Sequence, residues 1–382
     1  MKIETFALER WMTRWETVVE FDLAESGIKP LTVDELLQLG GRDESLENML
    51  SISLGYSEAR GTEELRTIIA SLYSDVTPDD VLVTTGAIEA NFLLFNVLLN
   101  AGDHVVAVDP AYQQLQSVPR AIGCDVSLWR LRPENDFRYD LDELDRLITP
   151  KTRLIVINTP HNPTGSVLTD DEQAEVYQRA EAVGAMVMGD EAYRWLTLPG
   201  RPPFAGPVRD IGSNGISIGT LSKPFGLPGL RIGWIAATSD IVQQCWSMRD
   251  YVSLSPGKLN DYLATIALRS REKVFERTQA IAKKNLETLE AWIHQREDLV
   301  SWVAPQGGLL GLLHYNIDVP SFDLADQLAE ESSVMLAPGA AFGYEHFLRI
   351  GIGGDPDVFR EGLVRTAPAL ERLYSEHGSI RS

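Results

Sequence analysis

The chain has 382 residues, 44% hydrophobic and 23% charged, which excludes a disordered, collagen-like or low-complexity polypeptide and suggests two domains at roughly 100–200 residues each. Its formal charge is −21 and its pI about 4.7, a surface that repels phosphate backbones and anionic lipids, so neither nucleic acid nor a membrane is expected as a partner. Two cysteines, Cys124 and Cys245, cannot form a disulfide framework or a four-cysteine zinc site, and Met1–Arg10 lacks the basic-then-apolar pattern of a signal peptide, so a reduced, cytoplasmic protein is expected.

Glu4–Trp15 reads as a short helix with Phe6, Trp11 and Trp15 available for one face. Thr32–Leu39 reads as a second helix. Thr32 and Glu35 are spaced as a capping box, and Gly40-Gly41 ends the helix. From about Ser57, β-rich runs alternate with helical ones. Val81–Thr85 (VLVTT) passes through Gly86 into a helical Ile88–Leu99, and Gly102-Asp103 turns the chain into His104–Val108. Leu154–Asn158, Ala185–Met188 and Gly215–Gly219 are further short strands. Nearly continuous apolar strands separated by helices predict an α/β domain with a mostly parallel sheet covered on both faces. From about Lys273 the pattern changes to a long helix (Val274–Gln295), short strands and a final helix (Pro356–Glu376), which predicts a smaller α+β domain. The expected division is 1–45 as an N-terminal segment joining the small domain, 46–275 as the large domain and 276–382 as the small domain.

Four segments carry chemistry. Ser217–Trp234 (SIGTLSKPFGLPGLRIGW) sets a lysine in a Ser/Gly/Pro loop after a strand, with no neighbouring charge until Arg231. A lysine shielded from water is expected to have a lowered pKa and to act as an amine nucleophile, as Schiff-base chemistry requires. Asn158–Gly165 (NTPHNPTG) lies at the C-terminal end of a strand, where open α/β sheets place ligands. Gly189–Tyr193 (GDEAY) follows another strand. Thr84–Asn91 (TTGAIEAN) runs from strand to helix, and backbone N–H groups at such a helix start suit a phosphate. The six histidines show no metal spacing, and no metal is expected; only His161 falls near these segments.

In this order, these segments resemble the fold-type I pyridoxal-phosphate enzymes of the class I/II aminotransferase group, from about Phe6 to Ala367. The resemblance implies a large domain with a mostly parallel seven-stranded sheet sandwiched by helices, a smaller α+β domain and pyridoxal 5′-phosphate as cofactor. It implies that Lys223 holds the cofactor and later moves the Cα proton, that Asp190 pairs with the pyridine nitrogen, and that Tyr193 and Asn162 bond the ring hydroxyl oxygen. Tyr112 would stack on the ring. Gly86, Ala87 and Ile88 would offer N–H groups to the phosphate, with Thr220 and Arg231 adding side-chain contacts. Arg349, in FLRIG, would grip the substrate α-carboxylate. Tyr56, in SLGY, would reach the phosphate of a neighbouring subunit, so a homodimer with a shared active site is expected.

The implied activity is transamination of a free α-amino acid with a 2-oxo acid. Leu131–Phe137 (LRPENDF), the lysine loop and Arg249–Ser255 (RDYVSLS) are also similar to capreomycidine synthase-like cyclases, which lose a side-chain hydroxyl from hydroxyarginine and close a guanidine ring. Plainer aminotransferase-like proteins share these stretches, so both reactions stay open. An intact Lys223, Asp190 and Arg349 set argues against a non-catalytic regulator. Glu9, Asp22, Glu25 and Ser26 lie in the N-terminal segment, which in this group can fold over the substrate side chain. Acidic groups there suit a cationic, arginine-like substrate.

Overall fold

The alternation that begins near Ser57 builds a seven-stranded sheet in a computed structural model that describes residues 2–201 and 203–380. Its strands are β1 (Val81–Thr84), β2 (His104–Asp109), β3 (Asp125–Arg130), β4 (Thr152–Asn158), β5 (Met186–Asp190), β6 (Gly215–Thr220) and β7 (Gly233–Ala236). They lie in the order β1-β7-β6-β5-β4-β2-β3. Only β7 opposes its neighbours, pairing antiparallel with β1 and β6. The strands read as apolar runs because both faces are covered. Leu82 and Ile235 belong to one core, while Val81, Val83, Trp234 and Ala236 belong to the core on the other face, as the two-residue period of a strand requires.

Two strands were not legible as such. Asp125–Arg130 (DVSLWR) is a half-exposed edge strand with no continuous apolar signal, and Gly233–Ala236 is four residues long and joined to the lysine loop. The predicted helices appear with shifted ends. The first, α1, spans Ala7–Trp15 rather than starting at Glu4. The second, α2, spans Val33–Leu39 under a capping box, Thr32 Oγ1 accepting from Glu35 N–H at 3.2 Å and Glu35 accepting from Thr32 N–H at 2.7 Å. The remaining helices used below are α3 (Ala87–Leu98), α4 (Ser239–Arg249), α5 (Arg271–His294), α6 (Ser321–Ser332) and α7 (Pro356–His377).

The C-terminal part forms a four-stranded antiparallel sheet from β8 (Val300–Trp302), β9 (Leu310–Tyr315), β10 (Ala337–Pro338) and β11 (Phe347–Gly351), ordered β10-β11-β9-β8. Its core includes Leu324 and Leu328 of α6, Leu363 and Leu370 of α7, and Leu8, Trp11, Leu23 and Ile28 of the N-terminal segment. Two segments change core along their length. Val274 of α5 packs with the large sheet, whereas Leu286, Leu289 and Ile293 pack with the small one. Leu36 and Leu37 of α2 likewise join the large-sheet side, while residues up to Ile28 join the small one.

One carboxylate ties α1 to α6. The indole N–H groups of Trp11 and Trp15 both donate to Asp326 Oδ1 at 2.8 Å, and Arg14 pairs with Oδ2 at 3.2 Å. Asp326→Ala leaves two indole donors without an acceptor. The expected loss is about 1–3 kcal/mol of unfolding free energy, read by chemical denaturation, with faster proteolysis within residues 2–20. Unchanged stability and cleavage would refute this anchoring.

Candidate active site

The turns at the C-terminal ends of β1, β2, β4, β5 and β6 converge on one cavity of about 520 Å³, closed on its other side by α1 and residues 25–26. This is the edge at which parallel sheets leave strand ends and helix starts free for ligands. Lys223, Asp190, Tyr193, Asn162, Tyr112, Thr220, Ala87, Ile88, Arg231, Arg349, Glu9 and Ser26 all line it.

At one end, Gly86 caps α3 with φ +77°. A Cβ at this position would come within 2.7 Å of Arg231 Nη2, and the positive φ itself favours glycine, so the guanidinium packs closely on the start of the helix. Arg231 itself is left-handed (φ +52°) and is held by Nη1 donating to Pro228 O at 2.9 Å. A Cβ on Gly233 would approach the Gly86 carbonyl carbon to 2.5 Å, so β7 also needs glycine to lie under the turn. Free helix N–H groups, the macrodipole and a guanidinium together form a site for a phosphate-like anion.

In the middle, Asp190 is buried at the end of β5. It accepts from Asn91 Nδ2 at 2.9 Å and Ala192 N–H at 3.1 Å. Burial pushes its carboxyl above the ordinary range, against those two hydrogen bonds. Asn158 registers the neighbouring turn: its Nδ2 donates to Asp190 O at 2.8 Å and its Oδ1 accepts from Asn162 N–H at 2.7 Å. Tyr112 donates to Glu9 Oε1 at 3.0 Å, with the Phe6 ring 4.8 Å away.

Lys223 corrects one expectation. Burial does push its ammonium pKa down, but Glu25 and Tyr193 outweigh burial, and the pKa lies above the ordinary lysine value. Nζ donates to Ser26 Oγ at 2.7 Å and lies 3.5 Å from Glu25 Oε1. The chain offers no charge near Lys223 in sequence; the fold brings one from 198 residues away. In return Lys223 holds the Glu25 carboxyl below its usual range, against burial. Arg349, on β11, is buried. Nη2 donates to Ala24 O at 2.8 Å, Nη1 reaches Asn162 Oδ1 at 3.3 Å, and Nε has no partner among the described residues.

Two residues singled out in the sequence lie outside this cluster, as a role for Tyr56 at a neighbouring subunit would require. Tyr56 is 84% exposed and lies away from the cavity. His161 is buried against Thr164 Oγ1 and Pro110 O, and burial lowers its pKa to about 4, so it is a neutral structural residue. Sequence reasoning missed Asn91, Asn158, Ser222, Thr13 and Glu16. Asn91 and Asn158 stood inside quoted motifs without a role. Glu9 and Thr13 of α1, with Glu16 just after it, lie on one face at helical spacing, away from Trp11 and Trp15, a signal visible in the sequence.

The family model for aminotransferase class I and II matches residues 34–365. The chain belongs to this aminotransferase family. It is 30% identical over 363 residues to capreomycidine synthase of Streptomyces vinaceus, covering 95% of this chain and 93% of that protein. It is 25% identical to aspartate aminotransferase of Sulfolobus acidocaldarius, covering 87% and 86%. Among solved structures, a PLP-dependent aminotransferase from Streptococcus suis matches with a TM-score of 0.93 at 32% identity over 98% of this chain and 99% of that one. The PLP-dependent cyclase OrfR matches with 0.90 at 32%, covering 97% and 98%. The cofactor of this aminotransferase-family enzyme is therefore pyridoxal 5′-phosphate. The residues present fit it: an anion cradle that a Cβ would fill, a lysine and a buried carboxylate share one cavity.

Asp22 gives a pH signature. Burial first, then Glu25, raise its carboxyl from 3.8 to about 6. A raised carboxyl means that the folded state binds more protons between these values, so this group's contribution falls as pH rises through them. Asp22→Asn should gain stability over the parent protein progressively from about pH 4 to pH 6. Denaturation midpoints of both proteins across that range check this; a constant difference would contradict the assignment.

Proposed function

We propose that this family member is an aminotransferase for a free α-amino acid with a cationic, arginine-like side chain, working as a homodimer. The observation that carries the reading is one cavity holding Lys223, Arg349 and three glutamates, Glu9, Glu16 and Glu25. When bound, pyridoxal 5′-phosphate supplies a carbonyl carbon for amine exchange and a ring that withdraws electrons from the substrate Cα.

The roles of the chain's own residues follow. Gly86, Ala87 and Ile88 N–H groups, the Thr220 hydroxyl and the Arg231 guanidinium hold the phosphate. Tyr112 covers the ring face. Tyr193 and Asn162 bond the ring hydroxyl oxygen. Asp190, positioned by Asn91, keeps a proton on the pyridine nitrogen. Lys223 attaches the cofactor through Nζ and, once released, takes the Cα proton at the same atom. Arg349 grips the α-carboxylate; its unpartnered Nε supports this role. Glu9, with Glu16 and Ser26 beside it, receives the side chain. A guanidinium arriving near Glu25 competes with Lys223 for that carboxylate and lowers the cost of deprotonating Nζ.

Exposed Leu50, Leu54, Tyr56, Tyr251 and Leu254 support a subunit interface, from which Tyr56 would reach the phosphate of the other copy. A second reading is a hydroxyarginine cyclase that expels water and closes a guanidine ring. It is favoured by the 30% identity to capreomycidine synthase across nearly the whole chain.

Lys223→Ala should abolish the visible absorbance of covalently held cofactor and stop turnover; full catalysis would overturn its role. Glu9→Gln should raise KM for a cationic substrate about tenfold, the scale of one charge-assisted hydrogen bond; unchanged turnover of every cationic substrate would remove the basis of the reading. Mass spectrometry of the cofactor-loaded protein with arginine and hydroxyarginine, with and without 2-oxoglutarate, separates the two reactions. Glutamate formed only with the oxo acid supports transamination. A product one water lighter, formed without it, supports the cyclase. Turnover restricted to anionic or neutral amino acids contradicts the cationic pocket.

A further inference from the structure

Beneath the phosphate-side turn lies a buried ion pair that the roles above do not use. Arg249, the last residue of α4, is fully buried. Its Nη1 donates to Val83 O at 2.6 Å and Ala59 O at 2.7 Å, and its Nε to Ser253 Oγ at 3.0 Å. The guanidinium stands 3.7 Å from Glu89 Oε2. Glu89, the third residue of α3, accepts from Thr85 N–H and from the Ser253 hydroxyl. Val83, Thr85 and Glu89 thus belong to the strand, turn and helix that make the anion site.

A glutamate in the first turn of a helix reaches back to hold the preceding N–H, as a capping residue does. Here that grip fixes the turn in front of Gly86. It also sets a buried negative charge within one helical turn of the N–H groups that face a phosphate dianion. In a site shielded from water, such a charge repels the ligand strongly unless it is compensated.

We propose that Arg249 is a positioning residue for the cofactor phosphate: it neutralises Glu89, so that Glu89 holds the Thr85-Gly86 turn without repelling the anion. This rests on the family's cofactor and not on which reaction the enzyme performs. A pair that merely packed the 250–255 loop would show no preference for ligands carrying a phosphate.

The test uses the full chain stripped of cofactor, titrated with pyridoxal 5′-phosphate and, separately, with pyridoxal, which lacks the phosphate, alongside the thermal midpoint of each variant. Arg249→Met should weaken pyridoxal 5′-phosphate binding about tenfold or more, as one uncompensated charge near a buried anion does, and leave pyridoxal binding unchanged. Adding Glu89→Gln, which keeps a side-chain acceptor and removes the charge, should restore the affinity, although the same carbonyl contacts of Arg249 remain lost. Equal weakening for both ligands, or a double variant as weak as the single one, would overturn the proposal. Should Arg249→Met fail to fold, Glu89→Gln alone decides: tighter binding of pyridoxal 5′-phosphate but not of pyridoxal supports the proposal, and unchanged or weaker binding overturns it.

Discussion

Arg231 packs against the start of α3 at Gly86, whose positive φ favours glycine and where a Cβ would stand 2.7 Å from the guanidinium. The anion site depends on this close approach. A chain with a formal charge of −21 cannot attract a phosphate by its overall field, so positive potential must be built locally. The sheet does this by ending β1 in a glycine turn and β6 in the Lys223 loop, and by starting the antiparallel β7 at Gly233.

The N-terminal segment completes the cavity from the opposite side. It is anchored in the small-sheet core by Leu8, Trp11 and Leu23 and latched to α6 by Asp326. Its polar face supplies the acids. The same short stretch contacts two cationic side chains of the site, Ser26 and Glu25 at Lys223 and the Ala24 carbonyl at Arg349. Lys223 and Arg349 are therefore linked through residues 24–26. Glu25 holds the Lys223 pKa above the ordinary lysine value, against burial.

Much of this was legible in the chain because local rules and tertiary structure agree. The apolar runs at 104–108 and 154–158 are buried strands, and the Thr32/Glu35 capping box starts a helix where it should. NPTG, DEAY and the lysine loop fall at strand ends, and their side chains share one cavity. The illegible part is what depends on distant pairing. The edge strand at 125–130 carries no apolar run. The Lys223–Glu25 pair spans 198 residues, so reading Lys223 from its neighbours alone gave the wrong direction for its pKa. Asn91 and Glu89 sit in a motif whose helix start was evident, but their partners, Asp190 and Arg249, are placed by the sheet and by α4.

The most direct test of the account is a structure of the cofactor-loaded protein with bound arginine. The expected result is the α-carboxylate on Arg349, the guanidinium between Glu9, Glu16 and Glu25, and Lys223 Nζ released from Glu25. A carboxylate bound elsewhere, or a guanidinium pointing away from α1 while Glu25 still pairs with Lys223, would contradict it.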